Sequence, residues 1–149
     1  MRQQATSRRQ EARASESTIR ESEPDPAVFR LPCADQTPQS TAAWLAESAA
    51  PGTIVVVRHA QWNLYEYHLD EIAKLNGRLG RVYLAQHGAF DLTGAGTSGP
   101  RGYLTLLEPT EAALDAAMRG KTWLHGRPAF KRPLSALETR LLRTLKGQA

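Results

Sequence analysis

Apolar and polar residues in the middle of the chain follow the two-residue period of β-strands. Residues 54–57, IVVV, are four strong β-formers in succession, and residues 81–85, RVYLA, form a second such stretch. Phe90 and Leu92 lie on one face of a third strand, and residues 102–109, GYLTLLEP, predict a further one. Glycine or an Asn-Gly pair separates these stretches, so the pattern predicts a compact all-β barrel.

The stretch that follows the first strand fits either a strand or a helix. Residues 65–69, YEYHL, alternate between apolar and polar side chains, as a half-buried strand does. The overlapping residues 68–75, HLDEIAKL, also place Leu, Ile and Ala on one helical face. Asn76-Gly77 suits a type I′ hairpin or a helix C-terminus. We favour the strand, because the next strand follows too soon for a comfortable crossover.

Two short helices are predicted on either side of these strands. Residues 40–48, STAAWLAES, predict a helix of about two turns with Ser40 or Thr41 as its N-cap. Thr110 caps a second helix, TEAALDAAM, which ends before Gly120. Helices this short persist only where they pack against the rest of the domain.

Ser135 and Glu138 form a capping box that opens a C-terminal amphipathic helix, which runs through about Lys146. Arg140 and Arg143 lie off its apolar stripe. That stripe consists of Leu134, Leu137, Leu141, Leu142 and Leu145. It can pack on its own domain or bind a partner, and packing is favoured.

The segments GTIVVVRHAQWNLYEYHLDEI, GRVYLAQHGAFDLTG and GYLTLLEPT resemble small SH3-like β-barrel proteins of phages, plasmids and other mobile elements, most of them uncharacterised. The resemblance covers about residues 52–110 and includes the placement of the aromatic residues, an F-D-x-x-G turn and a closing strand. It implies a binding module for nucleic acid or protein, since few such barrels are enzymes.

Composition divides the chain into three segments. Residues 1–40 are rich in Arg, Glu, Ser, Gln and Pro and predict a disordered tail. Residues 41–120 predict a small β-barrel domain with flanking short helices, and residues 121–149 a basic tail that carries the amphipathic helix. The predicted fold is therefore mainly β: a small SH3-like antiparallel barrel of about five strands, with a disordered N-terminus and one or two C-terminal helices.

Basic charge is concentrated at the C-terminal end of the chain. The 149 residues carry a net charge of +4, and residues 119–149 hold eight basic residues against a single acid, Glu138. Such an excess suits an anionic partner, and it suits equally a solvated tail that Trp123 and Phe130 pin to the barrel. The predicted nucleic-acid-binding residues are Arg119, Lys121, Trp123, Arg127, Phe130, Lys131, Arg132, Arg140 and Arg143, with the two aromatic rings stacking on bases.

Composition also limits the other classes of function. The sequence has no apolar run near the ~20 residues of a membrane span and no apolar core in its first residues typical of a secretory signal, which predicts a cytoplasmic protein without a membrane partner. The single cysteine, Cys33, predicts a loop thiol in a reducing compartment. No cofactor is predicted. No metal site is predicted either, because His59, His68, His87 and His125 lack the spacing of metal ligands.

Residues 58–63, RHAQWN, resemble the R-H-G triad and following W-N pair of the histidine phosphatases, in which His59 would attack phosphorus beside Arg58. His87 would supply the second histidine. Only 27 residues separate the two histidines, and Ala60 stands where that family has glycine. This separation is too short for several parallel strands and a cap, so no catalytic residue is predicted.

Three hypotheses of function follow, in order of preference. The first is a non-enzymatic module that contacts nucleic acid through the basic C-terminal segment. The alternative is a protein-binding adaptor or an inhibitor of a host complex, encoded on a mobile element, which would use the leucine stripe and the segment around Trp44. The third, which we disfavour, is a phosphatase-like enzyme that uses His59.

Overall fold

The computed structural model describes residues 32–61, 64–100, 102–119, 121–124 and 127–147. Contacts divide the chain into two units, Met1–Arg30 and Leu31–Ala149, and the first lies outside the described residues, as does most of the predicted disordered tail. The elements in chain order are α1 (Pro38–Ser48), β1 (Ile54–Gln61), β2 (Leu64–Asn76), β3 (Arg81–Leu84), β4 (Gly88–Asp91), β5 (Leu104–Leu107), α2 (Glu111–Met118), β6 (Lys121–Leu124), β7 (Arg127–Lys131) and α3 (Ala136–Gly147).

Five antiparallel strands, in the order β4-β3-β2-β1-β5, form a curled half-barrel. The long strand β2 organises the sheet, because it pairs with β1 on one edge and with β6 and β3 on the other. β7 extends the sheet by pairing with β6. The predicted mainly β, antiparallel architecture is confirmed, and its SH3-like identity stays a prediction.

A glycine-containing segment follows β4 in the chain and leads to β5, at the opposite end of the strand order. Single bridges join Phe90 to Gly96 and Ala95 to Thr105. Gly94 allows the close approach: its φ is +90°, and a Cβ atom there would lie 2.6 Å from the carbonyl oxygen of Leu106. Any side chain at this position would therefore displace β5 or the segment.

Each face of the sheet has its own hydrophobic core, because successive residues of a strand point to opposite faces. On one face the strands pack against α2 and α3, and on the other against α1. The first core contains Cys33, Val56, Tyr67, Leu69, Leu107, Ala113, Ala116, Ala117, Leu137 and Leu141. The second contains Leu45, Val55, Val57, Ile72, Val82, Leu84, Phe90 and Leu106.

The stretch that fitted two patterns is a strand, so the favoured interpretation is confirmed and the helical one is wrong. β2 pairs with β1, β3 and β6, and these backbone hydrogen bonds stabilise the strand. A helix over the same residues would lose all three pairings. Its connection to β3 is longer than a type I′ hairpin. Asn76 caps it by accepting the backbone N–H of Leu79 at 3.2 Å, and the positive φ belongs to Gly80 rather than Gly77.

The predicted caps are correct for two of the three helices. Thr110 accepts the backbone N–H of Ala113, and Ser135 and Glu138 form the predicted capping box. α1, by contrast, begins earlier than predicted. Its N-cap is Thr37, which forms a capping box with Ser40, because Pro38 has a φ suited to the first helical position and lacks the N–H that would have no intrahelical partner there.

Two segments differ from the predicted domain plan. Residues 32–40, placed in the disordered tail, include the start of α1 and a turn with the buried Cys33. Residues 121–131, placed in the basic tail, form β6 and β7. Their charges suggested a solvated segment, but backbone pairing to β2 does not depend on side-chain polarity. Among the described residues, no helix has the length and apolar character needed to cross a membrane.

Candidate functional site

Sheet register gathers three half-buried polar side chains on one face of the β1–β2 pair. His59 lies directly opposite Glu66, and Val57 lies opposite His68, so all three share a face. The Nε2 atom of His68 is 3.3 Å from Oε1 of Glu66, and Nδ1 of His59 is 3.8 Å from the same oxygen. We call this group the histidine cluster. Two imidazole nitrogens thus approach one carboxylate oxygen.

His59 has an incomplete set of polar contacts. Its ring packs edge-on against Tyr103, with 4.5 Å between ring centroids, and the backbone N–H of Ala60 donates to the Tyr103 carbonyl at 2.8 Å. Its Nε2 atom is buried without a hydrogen-bond partner among the described residues. An unpaired buried polar atom costs roughly 1–3 kcal/mol. The contacts that position this ring are its packing against Tyr103 and the 3.8 Å approach of Nδ1 to Glu66.

Asp70 and His87 form a fixed pair beside this cluster. The fully buried carboxylate of Asp70 accepts the backbone N–H groups of Glu71, Gln86 and His87. It also accepts from Nδ1 of His87, at 2.6 Å. These bonds hold the β3–β4 turn against β2 and turn the other ring nitrogen of His87 away from Asp70. The His87 ring lies 5.1 Å from the His68 ring, centroid to centroid.

Side chains fill a gap in strand pairing along β2. β6 pairs with residues 64–66 of β2, and the pairing of β2 with β3 begins at Ile72, so the edge of β2 between these positions has no strand partner among the described residues. Oε2 of Glu138 accepts the backbone N–H of Leu69 at 2.9 Å, and Arg132 donates to the carbonyl of Tyr67. Arg132 and Glu138 are themselves ion-paired at 2.7 Å. We call this pair the Arg132–Glu138 bracket.

Burial and the bracket together shift the pKa values of Glu138 and His68. Burial would raise the pKa of Glu138, but hydrogen bonds from Arg132, Ser135 and Leu69 outweigh that effect and hold this pKa below its usual value. The pKa of His68 is lowered by burial first, and then by the positive charge of Arg132 and by the neighbouring His87 ring. His68 is therefore neutral at pH 7, with its Nδ1 atom 4.0 Å from Oε2 of Glu138.

No family model, curated protein or solved structure matches this chain. The geometry of the site is therefore the basis on which a function can be assigned.

The predicted nucleic-acid-binding residues have different environments in the structure. Arg132 does not lie free on the surface, because its guanidinium is committed to the bracket and its side chain is only 11% exposed. Arg119 is paired with Asp115 and Arg140 with Glu71, at exposed positions. Two are exposed and have no ion pair among the described residues: Lys131 and Arg143. The side chains of Lys121, Trp123, Arg127 and Phe130 lie outside the described part of the structure.

The described geometry does not assemble the phosphatase arrangement. Arg58 lies opposite Tyr67 and His59 opposite Glu66, so these neighbours point to opposite faces of the sheet and cannot contact one phosphate together. His87 pairs with Asp70 and lies beside His68. The strand pairs described are antiparallel, whereas a phosphatase site of that kind requires parallel strand ends.

The histidine cluster was missed in the sequence because its members are not neighbours in helical spacing. Glu66 and His68 are two residues apart, which places them on one face only once β2 is known to be a strand. His59 joins them through register, since β1 ends at Gln61 and β2 begins at Leu64. The alternating E-x-H pattern across a short hairpin was the available signal.

Proposed function

We propose that this chain is a non-enzymatic binding module that contacts nucleic acid through the β6–β7 hairpin and the charged face of α3. The observation that carries the proposal is the register of the hairpin, in which Lys121 lies directly opposite Lys131. Paired positions of this kind concentrate positive residues at one end of the hairpin, and a phosphate backbone bound there would release counterions. The side chain of Lys131 is exposed.

The exposed face of α3 supplies further positive charge. Leu137 and Leu141 are buried in the first core, so the leucine stripe packs on its own domain, as favoured from the sequence. Arg143 and Lys146 are exposed on this helix. With the core side of α3 occupied, its outer side is left as a basic surface, and Arg132 no longer belongs to the contact set.

Lysine on an edge strand has a second explanation, and the experiment must distinguish it from nucleic-acid binding. β7 pairs only with β6 among the described strands, and edge lysines also discourage pairing between molecules. Edge protection does not require affinity for an anion. If the lysines bind nucleic acid, a complex should be measurable. If they only protect the edge strand, no complex is expected.

Fluorescence anisotropy with labelled single-stranded DNA, duplex DNA and RNA, over a salt series, tests the proposal. We expect affinity to fall steeply with salt, and each phosphate contact removed to reduce the duplex salt slope by about 0.9. The variant Lys121→Glu/Lys131→Glu should lose most of the affinity. Arg78→Glu/Lys74→Glu, an equal charge change at exposed positions around the β2–β3 turn, is the matched control. Binding that is absent, insensitive to salt or equally weakened by both variants would contradict the proposal.

A protein-binding adaptor is the second candidate, and exposed leucines favour it. Leu79 is 59% exposed and Leu92 is 47% exposed, and the Leu92 side chain lies beside Gly80, next to Leu79. This pair replaces the surfaces expected from the sequence, since the leucine stripe is packed and Trp44 packs against the second core. The adaptor would be favoured over the first proposal by a protein complex that survives nuclease treatment and is lost in the variant Leu79→Asp/Leu92→Asp. The chain should then bind neither DNA nor RNA.

A further inference from the structure

The donor atoms of the histidine cluster already lie at nearly the separations of metal ligands. One donor atom from each of His59, Glu66 and His68 lies within 4.8 Å of the other two. Tetrahedral zinc, with bonds of about 2.0–2.2 Å, keeps its donor atoms about 3.3–3.5 Å apart. The 3.3 Å between His68 Nε2 and Glu66 Oε1 meets that spacing, and the 3.8 Å between His59 Nδ1 and the same oxygen requires a small movement.

We propose that His59, Glu66 and His68 bind a divalent transition-metal ion of the zinc class. This function goes beyond the proposed binding of nucleic acid and uses none of the residues assigned to it. The ligands are two imidazole nitrogens and one carboxylate oxygen.

The scaffold holds the three ligands firmly. His59 and Glu66 are direct register partners in the longest strand pairing of the sheet, and His68 is two residues farther along β2. Sites built on paired strands hold their geometry better than sites on loops. The three donors are therefore already together in the folded chain, and metal binding does not have to drive a folding step.

His59 can coordinate without breaking an existing hydrogen bond. Its Nδ1 atom is 3.8 Å from Glu66, beyond hydrogen-bond distance, and its Nε2 atom has no partner among the described residues. Its polar contact among the described residues is this 3.8 Å approach of Nδ1 to Glu66. Coordination through Nδ1 would add a bond there and leave Nε2 to carry the ring hydrogen.

A second carboxylate lies near the ligand His68 on its other side, just beyond hydrogen-bond distance. Its Nε2 atom faces Glu66, and its other ring nitrogen, Nδ1, is 4.0 Å from Oε2 of Glu138. Glu138 is fixed in turn by Arg132 and by the backbone N–H of Leu69. Metal-bound histidines commonly have a carboxylate at the second ring nitrogen, which orients the ring and increases its basicity as a ligand.

The donor set selects the class of ion. Two imidazoles and one carboxylate suit zinc and neighbouring transition metals, whereas calcium and magnesium prefer sites made of oxygen atoms. The side chains of the three ligands are 28%, 27% and 19% exposed, in chain order. A three-ligand site that is partly open in this way leaves a fourth position for water.

Isothermal titration of the full chain with zinc sulfate, and separately with magnesium and calcium, tests the proposal. We expect one zinc ion per chain and no response to magnesium or calcium. His59→Gln, His68→Gln and Glu66→Gln should each weaken zinc binding by roughly tenfold or more, since even partners behind a ligand contribute 10–100-fold. Glu47→Gln, at an exposed position on α1, is the matched control and should bind zinc as the native chain does.

X-ray absorption of the zinc-loaded chain gives a second readout that does not depend on variants folding. The expected spectrum has only nitrogen and oxygen neighbours at about 2.0–2.2 Å, two of them imidazole. A sulfur neighbour, or no imidazole, would overturn the proposal. It is also overturned if the native chain does not bind zinc at millimolar concentration, or if the folded glutamine variants bind zinc as tightly as the native chain. The nucleic-acid proposal is unaffected by any of these results.

Discussion

The Arg132–Glu138 bracket and the histidine cluster are polar groups attached to the same strand, yet their hydrogen bonding differs. Each oxygen of Glu138 accepts two hydrogen bonds, from Arg132 and from the backbone of Ser135 or Leu69. The histidine cluster has one contact within hydrogen-bond distance, between His68 and Glu66 at 3.3 Å. The bracket completes the sheet, although Nε of Arg132, like Nε2 of His59, is buried without a hydrogen-bond partner among the described residues. The contrast therefore lies in the two carboxylates: that of Glu138 accepts four hydrogen bonds, whereas the Glu66 carboxylate has two imidazole nitrogens beside one oxygen and only His68 within hydrogen-bond distance.

The largest effect is expected on removal of the bracket's carboxylate. Glu138→Ala leaves the Arg132 charge without its partner and the Leu69 N–H without an acceptor, and breaking a buried ion pair in this way costs about 3–5 kcal/mol. Urea unfolding followed by circular dichroism measures the loss. Glu47→Ala, at an exposed position, should change the free energy of unfolding by less than about 0.5 kcal/mol. Equal effects of the two substitutions would contradict a structural role for the bracket.

Asp70→Asn should have the next largest effect. The amide keeps one oxygen but directs an NH₂ group toward backbone donors, and each buried donor left unsatisfied costs about 1–3 kcal/mol. We also expect faster hydrogen exchange at the amides of Gln86 and His87, which donate to Asp70. Stability near the native value, with exchange unchanged at these two amides, would mean that Asp70 does not hold the β3–β4 turn.

A change of pH should affect stability through the bracket by a smaller amount than these two substitutions. The pKa of Glu138 is lower in the folded chain than its ordinary 4.5, so its contribution is present above pH 4.5 and is lost as pH falls through the lower, folded value. The pKa of His68 is lowered from 6.5, so the folded chain binds this proton less readily than the unfolded chain, and His68 also reduces stability as pH falls below 6.5. The native chain should lose stability below pH 4.5 more steeply than Glu138→Gln, and parallel curves would exclude this contribution.

The smallest effect is expected at the histidine cluster in the absence of metal. His59→Gln removes no hydrogen bond among the described residues and loses mainly the ring contact with Tyr103, which is worth about 0.5–1.5 kcal/mol. Urea unfolding in the presence of a chelator measures this change. A loss as large as that of Glu138→Ala would erase the distinction between the two regions.

The sequence predicted best those features that are decided by nearby residues. The β-forming residues 54–57, the Thr110 cap and the capping box at Ser135 each depend on side chains within one turn or one strand. The N-cap of α1 was misplaced because Ser40 also satisfies the capping rule, and its side chain completes the box from the other end.

Features that depend on distant pairing were not predicted. Arg132 was assigned to a nucleic-acid surface because its partner, the Tyr67 carbonyl, is 65 residues away in the chain. β6 was missed because its pairing with β2 is a backbone interaction. The histidines were judged by spacing along the chain, whereas His59 meets Glu66 only through register.

The most direct test of the contrast is long-range ¹H–¹⁵N NMR of the imidazole nitrogens during a zinc titration of the full chain. The ring signals of His59 and His68 are expected to change together and reach saturation at one equivalent, while the Ser135 amide, which donates to Oε1 of Glu138, keeps its position. Zinc that saturates the chain without altering those two rings, or that shifts the Ser135 amide as strongly as the rings, would contradict the division between a structural bracket and a metal-binding cluster.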